Sequence, residues 1–138
     1  LELHTLLIHA LAMLNCLLTV SVKHLLAMIV AIALTLESLE DLPVHLIAGL
    51  INTKTPSDFL MPLRKHTKSL TAITIPNADA SFSSDEISTV AKEIGFKTKT
   101  ASSVSKAIKN IVSVEKSPAR ILICGSLYLA GDILKKNK

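Results

Sequence analysis

The chain has 138 residues, of which 49% are hydrophobic and 3% aromatic, and carries a formal charge of +4. Its length suits one domain with a real core. So few rings leave little to stack on bases, and beyond Lys23 the basic residues are spread through 54–138, so no nucleic-acid partner is expected. They read as a solvated surface, able in places to attract a phosphorylated or polyanionic ligand. Cys16 and Cys124 sit in apolar runs with no C-x-x-C spacing, and the five histidines are scattered. Buried reduced thiols, a cytoplasmic location and no metal site are the expectations.

From Leu3 to Val22 there is no Asp, Glu, Lys or Arg, and a second apolar run extends from Leu25 to Leu36. A membrane span is the first thing such a stretch suggests. His4, His9 and Asn15 are costly in hydrocarbon, however, and the second run is short for a span. No basic segment precedes the apolar run, so a secretory signal fits badly. Residues 1–38 are therefore expected to be an atypical apolar helical segment with no membrane role, and residues 39–138 a separate α/β domain.

Val44 to Leu50 reads as a buried strand that starts after Pro43 and ends in the loop Asn52-Thr53-Lys54. Thr55-Pro56-Ser57-Asp58 is a helix start, with Thr as N-cap, Pro in the first turn and an acid near the positive end of the dipole. That helix carries Phe59, Leu60 and Leu63 inward until Pro62 kinks or shortens it. Leu70 to Ile75 alternates as a strand and Pro76-Asn77 closes it. Ser83-Ser84-Asp85-Glu86 fits a capping box. Ile87, Val90, Ala91 and Ile94 follow at helical spacing, with Gly95 as the stop. Phe96 to Thr100 is a brief strand. Val104, Ala107, Ile108 and Ile111 mark another amphipathic helix, with Lys106 and Lys109 on its outer face.

Ile121 to Cys124 is a short apolar run, as expected of a strand buried on both faces of a parallel sheet. Gly125 permits a tight turn, and Ser126 can cap a helix from about Leu127 to Lys136. The hydroxyl of Ser126 is then expected to face a gap beyond the strand end, where open α/β sheets bind ligands. Strands alternating with helices in this way predict a Rossmann-like three-layer domain with a mostly parallel sheet. There is no G-x-x-x-x-G-K-[ST] and no G-x-G-x-x-G, so the chain cannot cradle a triphosphate by the usual route.

Two stretches carry a resemblance. Arg120-Ile121-Leu122-Ile123-Cys124-Gly125-Ser126-Leu127-Tyr128-Leu129-Ala130-Gly131-Asp132-Ile133-Leu134 resembles the last strand and helix of folylpolyglutamate synthase/dihydrofolate synthase, where a T/C-G-S-L-Y-L/F motif recurs. His45 to Leu60, through Asn52-Thr53-Lys54-Thr55-Pro56, is similar to that family's strand, N-T-K-D-P-like loop and following helix. The resemblance covers roughly residues 39 to 136 and only the family's C-terminal domain. It implies the Mur-ligase type of C-terminal α/β architecture. In the family, ATP with Mg2+ activates the carboxylate of a folate or dihydropteroate as an acyl phosphate, and L-glutamate attacks it. The nucleotide clamp belongs to an N-terminal ATP-binding domain that this sequence does not contain. ATP and Mg2+ are thus not expected to bind tightly here, and a fragment inactive alone is expected. Two other readings remain open. One is a non-enzymatic α/β module, membrane-associated through residues 3–36. The other is a Mur ligase, although G-S-L-Y-L with N-T-K points to the folate branch.

The family opens this domain with a strand ending in D-G-A/G-H-N-P, and this chain has Leu1-Glu2-Leu3-His4-Thr5-Leu6-Leu7 instead. The codons GAT GGA GCT CAT AAC CCT GCT, read one base late with a G following, give Met-Glu-Leu-Ile-Thr-Leu-Leu. That agrees at Glu2, Leu3, Thr5, Leu6 and Leu7. The expectation is an out-of-frame reading of the family's opening that returns to frame near Ala33 to Leu39.

The candidate site residues follow. The resemblance gives Ser126 a contact with the incoming glutamate or a nearby phosphate, beside its plain role as a helix cap. Tyr128 either joins it or packs the helix. Asn52, Thr53 and Lys54 lie beyond a strand end, where Lys54 could reach an anion or simply be solvated. His45 in a strand reads as a satisfied histidine rather than a catalyst. Asp132 matches an acidic position of the family's last helix, or is a surface charge.

Overall fold

The computed structural model describes residues 22–38, 42–53 and 55–136. In chain order they form α1 (Val22–Ser38), β1 (Val44–Ala48), α2 (Pro56–Leu60), a 3-10 helix (Met61–His66) and β2 (Ser69–Ile73). α3 (Ser84–Glu93), β3 (Thr98–Ala101), α4 (Val104–Val114), β4 (Arg120–Cys124) and α5 (Leu127–Lys136) follow. The strands make one sheet in the order β3-β2-β1-β4, and every pairing is parallel. The α/β class and the parallel sheet are as the sequence predicts. The first apolar run lies outside the described residues, and the second is the helix α1. No helix among the described residues is long and apolar enough to cross a membrane.

Side chains alternate across the sheet and make two cores. On one face Leu46, Ala48, Leu70, Ala72 and Leu122 meet Ile29, Ile32 and Leu36 of α1, Phe59 and Leu60 of α2, and Ile87 and Ala91 of α3. On the other, Ile47, Ile73, Ile121 and Ile123 meet Ala107 and Ile111 of α4 and Leu129 of α5. The chain therefore steps from β1 to β2 to β3 with its helices on the first face. It then crosses by α4 on the second face to set β4 on the far side of β1. Reversal of direction with change of face is what right-handed crossovers demand. The result is a topological switch point between the carboxyl ends of β1 and β4.

Several element ends depart from the sequence expectation by a residue or two, each for a local reason. Thr55 occupies the N-cap of α2, but its side chain makes no capping hydrogen bond, leaving Pro56 in the first turn as the start signal. Pro62 limits α2 to five residues, after which the chain tightens into the 3-10 helix. β2 ends at Ile73 because the N–H of Ile75 is taken by the Ser81 hydroxyl at 2.9 Å. Phe96 is not in a strand. Its N–H bonds the Ala91 carbonyl while that of Gly95, at φ +93°, bonds Lys92, a Schellman ending that buries the Phe96 ring. β3 accordingly starts at Thr98.

The capping box of α3 forms as predicted. The Glu86 N–H donates to the Ser83 hydroxyl at 3.2 Å, and the Ser83 N–H donates to the Glu86 carboxylate at 2.7 Å. The backbone N–H and then the hydroxyl of Ser83 hold the Glu86 carboxyl below its ordinary pKa. Ser103 caps α4 likewise, accepting from the Lys106 N–H at 3.1 Å. Replacing Ser83 by Ala removes the hydroxyl's bonds to the Glu86 N–H and carboxylate, leaves the backbone N–H bond to Glu86 in place, and should lower stability by about 1 kcal/mol in urea unfolding, with Ser83→Thr keeping most of it. An unchanged midpoint for Ser83→Ala would mean that tertiary contacts alone hold this end.

Candidate functional site

Everything at the carboxyl edge of the sheet is arranged by two glycines. The Gly49 N–H donates to the Cys124 carbonyl at 3.2 Å, which brings the chain leaving β1 against the chain leaving β4. Gly125 sits at φ +130°, and a Cβ there would lie 1.9 Å from the Gly49 carbonyl oxygen. A Cβ on Gly49 would lie 2.9 Å from the Ile75 side chain. Only glycine permits this approach. From the contact, one chain runs to α2 on the first face and the other to α5 on the second.

The predicted site residues divide accordingly. Asn52 and Thr53 follow the Gly49 side of the crossing and are exposed. The Asn52 N–H donates to the Ala80 carbonyl at 2.8 Å, which ties this loop to the one leaving β2. Lys54 lies outside the described residues. Ser126 follows the Gly125 side, directly before α5, but it is 3% exposed. The expectation of a hydroxyl facing an open gap is corrected here: Ser126 is buried, and it has an interaction partner within the chain. Tyr128 and Asp132 both lie on α5. Cys124 is buried, as the sequence suggests for it, and Cys16 lies outside the described residues.

His45 belongs elsewhere. It sits on β1 at the amino edge of the sheet, the end opposite the crossing. Its Nδ1 lies 2.7 Å from Ser69 Oγ and its Nε2 3.0 Å from Glu115 Oε2. Lys68 Nζ donates to the same carboxylate oxygen at 2.6 Å. The Lys68 hydrogen bond first, and the His45 bond second, pull the Glu115 carboxyl down to about 2, against a smaller upward push from burial. The ionised carboxylate only accepts, so Nε2 carries a proton and, in the neutral ring, Ser69 donates to Nδ1. This is the satisfied histidine the sequence suggests, and it fastens the end of α4 to β1 and β2. Glu115 was not legible beforehand, because nothing local in the sequence links it to a histidine seventy positions away.

No phosphate-cradling glycine loop occurs in the sequence, and the described residues hold no cluster of His, Cys, Asp or Glu able to bind a metal. The carboxyl edge presents an exposed amide and hydroxyl at Asn52 and Thr53, beside the backbone crossing.

Solved structures share this fold. A Mycobacterium tuberculosis folylpolyglutamate synthase complexed with ADP superposes with a TM-score of 0.73 over 80% of this chain and 27% of its own, at 19% identity. The fold is that of a folylpolyglutamate synthase domain. The E. coli FolC structure in complex with DHPP and ADP matches at TM-score 0.68, 14% identity, 81% of this chain and 26% of its own. The Yersinia pestis bifunctional folylpolyglutamate synthase/dihydrofolate synthase, complexed with AMPPNP and Mn ion, matches at 0.67 and 12% identity, over 81% of this chain and 26% of its own. The chain spans about a quarter of the length of these folylpolyglutamate synthases. No protein-family model matches the sequence, and no curated protein matches it.

Two outcomes follow from this geometry. Gly125→Ala should destabilise the chain by at least about 2 kcal/mol in denaturant unfolding, because it combines a positive φ with a backbone collision; a wild-type midpoint would contradict the crossing. The carboxyl of Glu115 is depressed from 4.5 to about 2 in the folded chain, so its contribution is complete above the unfolded value and is lost as pH falls through the folded one. Glu115→Gln should therefore flatten the acid limb of the stability curve between pH 4.5 and 2, read by thermal melts at fixed ionic strength. An acid limb identical to wild type would remove Glu115 from the account.

Proposed function

We propose that this chain is the C-terminal domain portion of a folylpolyglutamate synthase/dihydrofolate synthase, an ATP-dependent ligase that adds L-glutamate to folates, and that it is inactive alone. The observation that carries this reading is the glycine crossing at the switch point, formed between the same two stretches, His45 to Leu60 and Arg120 to Leu134, whose sequences resemble that family. The match to folylpolyglutamate synthase structures over a quarter of their length supports it. On this reading Asn52, Lys54, Ser126 and Tyr128 belong to the side of the active site that receives L-glutamate, and the folate or dihydropteroate carboxylate arrives with the other lobe. Ser126, being buried, acts through its backbone and by fixing the start of α5. ATP and Mg2+ are held by a P-loop-bearing N-terminal ATP-binding domain, which is the partner this surface needs. Location in the cytoplasm goes with that chemistry.

Residues 1–38 are, on the same reading, an out-of-frame translation of the family's opening strand and helix, which removes the aspartate and histidine that should face the nucleotide. The second reading, a non-enzymatic α/β module held to a membrane through residues 3–36, draws on Val30 and Leu34. These are 43% and 59% exposed on the outer side of α1. Flotation with liposomes separates the two, since the ligase fragment stays in the dense fraction.

The direct test is a ligation assay with ATP, Mg2+, radiolabelled L-glutamate and either dihydropteroate or a folate. The isolated chain should form no product above background. Measurable turnover would refute the claim that this segment lacks an essential half of the enzyme.

A further inference from the structure

The loop leaving β1 does not stand alone. Ile51 and Ser81 form an isolated antiparallel bridge. Around it the Phe82 N–H donates to the Leu50 carbonyl at 2.9 Å and the Asn52 N–H to the Ala80 carbonyl at 2.8 Å. At the centre sits one hydroxyl. Ser81 Oγ accepts from the Ile75 N–H at 2.9 Å, and lies 2.8 Å from the Phe82 carbonyl and 3.5 Å from that of Leu50. Ile75 is 2% exposed, so its N–H has no ready water to replace the serine, and a buried unpaired N–H is unfavourable. A second stitch, from the Ser84 N–H to Thr74 Oγ1 at 2.9 Å, anchors the far end of the same loop to α3. A turn from Ser81 N–H to the Ala78 carbonyl at 2.9 Å, with Asn77 at φ +57°, folds the segment between them.

We propose that Ser81 is a positioning residue for the Asn52–Thr53 wall of the site: its hydroxyl joins the loops leaving β1 and β2 into one rigid platform beside the glycine crossing. This rests on the ligase reading for its ligand but not for its mechanics. Three facts converge on it. The hydroxyl satisfies the Ile75 N–H just past the end of β2, on a buried residue. The bridge it centres is the contact through which the Asn52 backbone is held. The platform also carries the exposed Asn77 and Asp79, so the β2 exit loop contributes to the same surface as Asn52 and Thr53. A ligand that engages Asn52 or Thr53 meets a wall whose position is fixed from the neighbouring strand.

The test uses the full chain as wild type, Ser81→Ala and Ser81→Thr. Amide hydrogen exchange at Ile75, Asn52 and Phe82 should speed up about fivefold in Ser81→Ala, the size of one neutral hydrogen bond. Amides of Leu46, Leu70 and Leu122 should not change. L-Glutamate titrated into the labelled chain and followed at the Asn52 and Thr53 amides should bind Ser81→Ala more weakly by a similar factor, and Ser81→Thr should restore both readouts. Unchanged exchange at Asn52 and Phe82 in Ser81→Ala would overturn the proposal. So would loosened loops with glutamate affinity intact, which would make Ser81 structural only. If glutamate moves no amide even in wild type, the ligase reading of this surface fails, while faster loop exchange in Ser81→Ala still supports the coupling of the two loops.

Discussion

Two backbones meet at Gly49 and Gly125, and the carboxyl edge of the molecule is built around that contact. A side chain on either glycine would collide, at Gly125 with a carbonyl oxygen and at Gly49 with the Ile75 side chain. Because the strands are parallel and short, their exits leave from one edge, and the reversal in strand order sends those exits to opposite faces. The gap that opens between diverging loops is the general place for ligands in such sheets. Here Asn52 and Thr53 lie on one side, and the buried Ser126 lies on the other. The opposite edge has another job: the Lys68, Glu115, His45 and Ser69 chain of bonds locks the last turn of α4 against the sheet.

The two sheet faces differ in how they are covered. α4 on the second face presents lysines to solvent, and α3 on the first carries its charges outward. α1 does not follow this rule. It buries Ile29, Ile32, Ala33 and Leu36 but leaves Val30 and Leu34 at its outer side. An ordinary surface helix has a polar outer stripe. On the out-of-frame reading proposed above, exposed Val30 and Leu34 have a simple cause: an apolar sequence will form a helix and pack one side of it, but nothing has selected against apolar residues on the other. The inner side is still sufficient to cap the first core.

Much of the fold was legible in local chemistry. The runs Leu46–Ala48 and Ile121–Cys124 are apolar throughout because they are buried on both sides, and composition alone reveals that. Ser83 with Glu86, Pro56 and Gly95 are signals whose partners lie within one or two turns. What could not be read depends on residues distant in sequence. The strand ends at Ala48 and Ile73 are set by Cys124 and Ser81, and the partner of His45 is Glu115. Ser126 was correctly placed at a strand end, yet its burial depends on tertiary packing, which no spacing in the sequence expresses. The exposure of Asn52 and Thr53 could be expected because they form a polar loop after a buried strand; the bonds of Ser81 could not, because a serine in a loop carries no such signal.

The central claim is that this fold is one lobe of a two-lobe ligase. The most direct measurement is the sequence of the genomic DNA running into the codon for Leu1. The account predicts a reading frame with a phosphate-cradling G-x-x-x-x-G-K-[ST] just upstream, and D-G-x-H-N in the alternative register opposite Leu1 to Leu7. Flanking DNA with neither feature would contradict it.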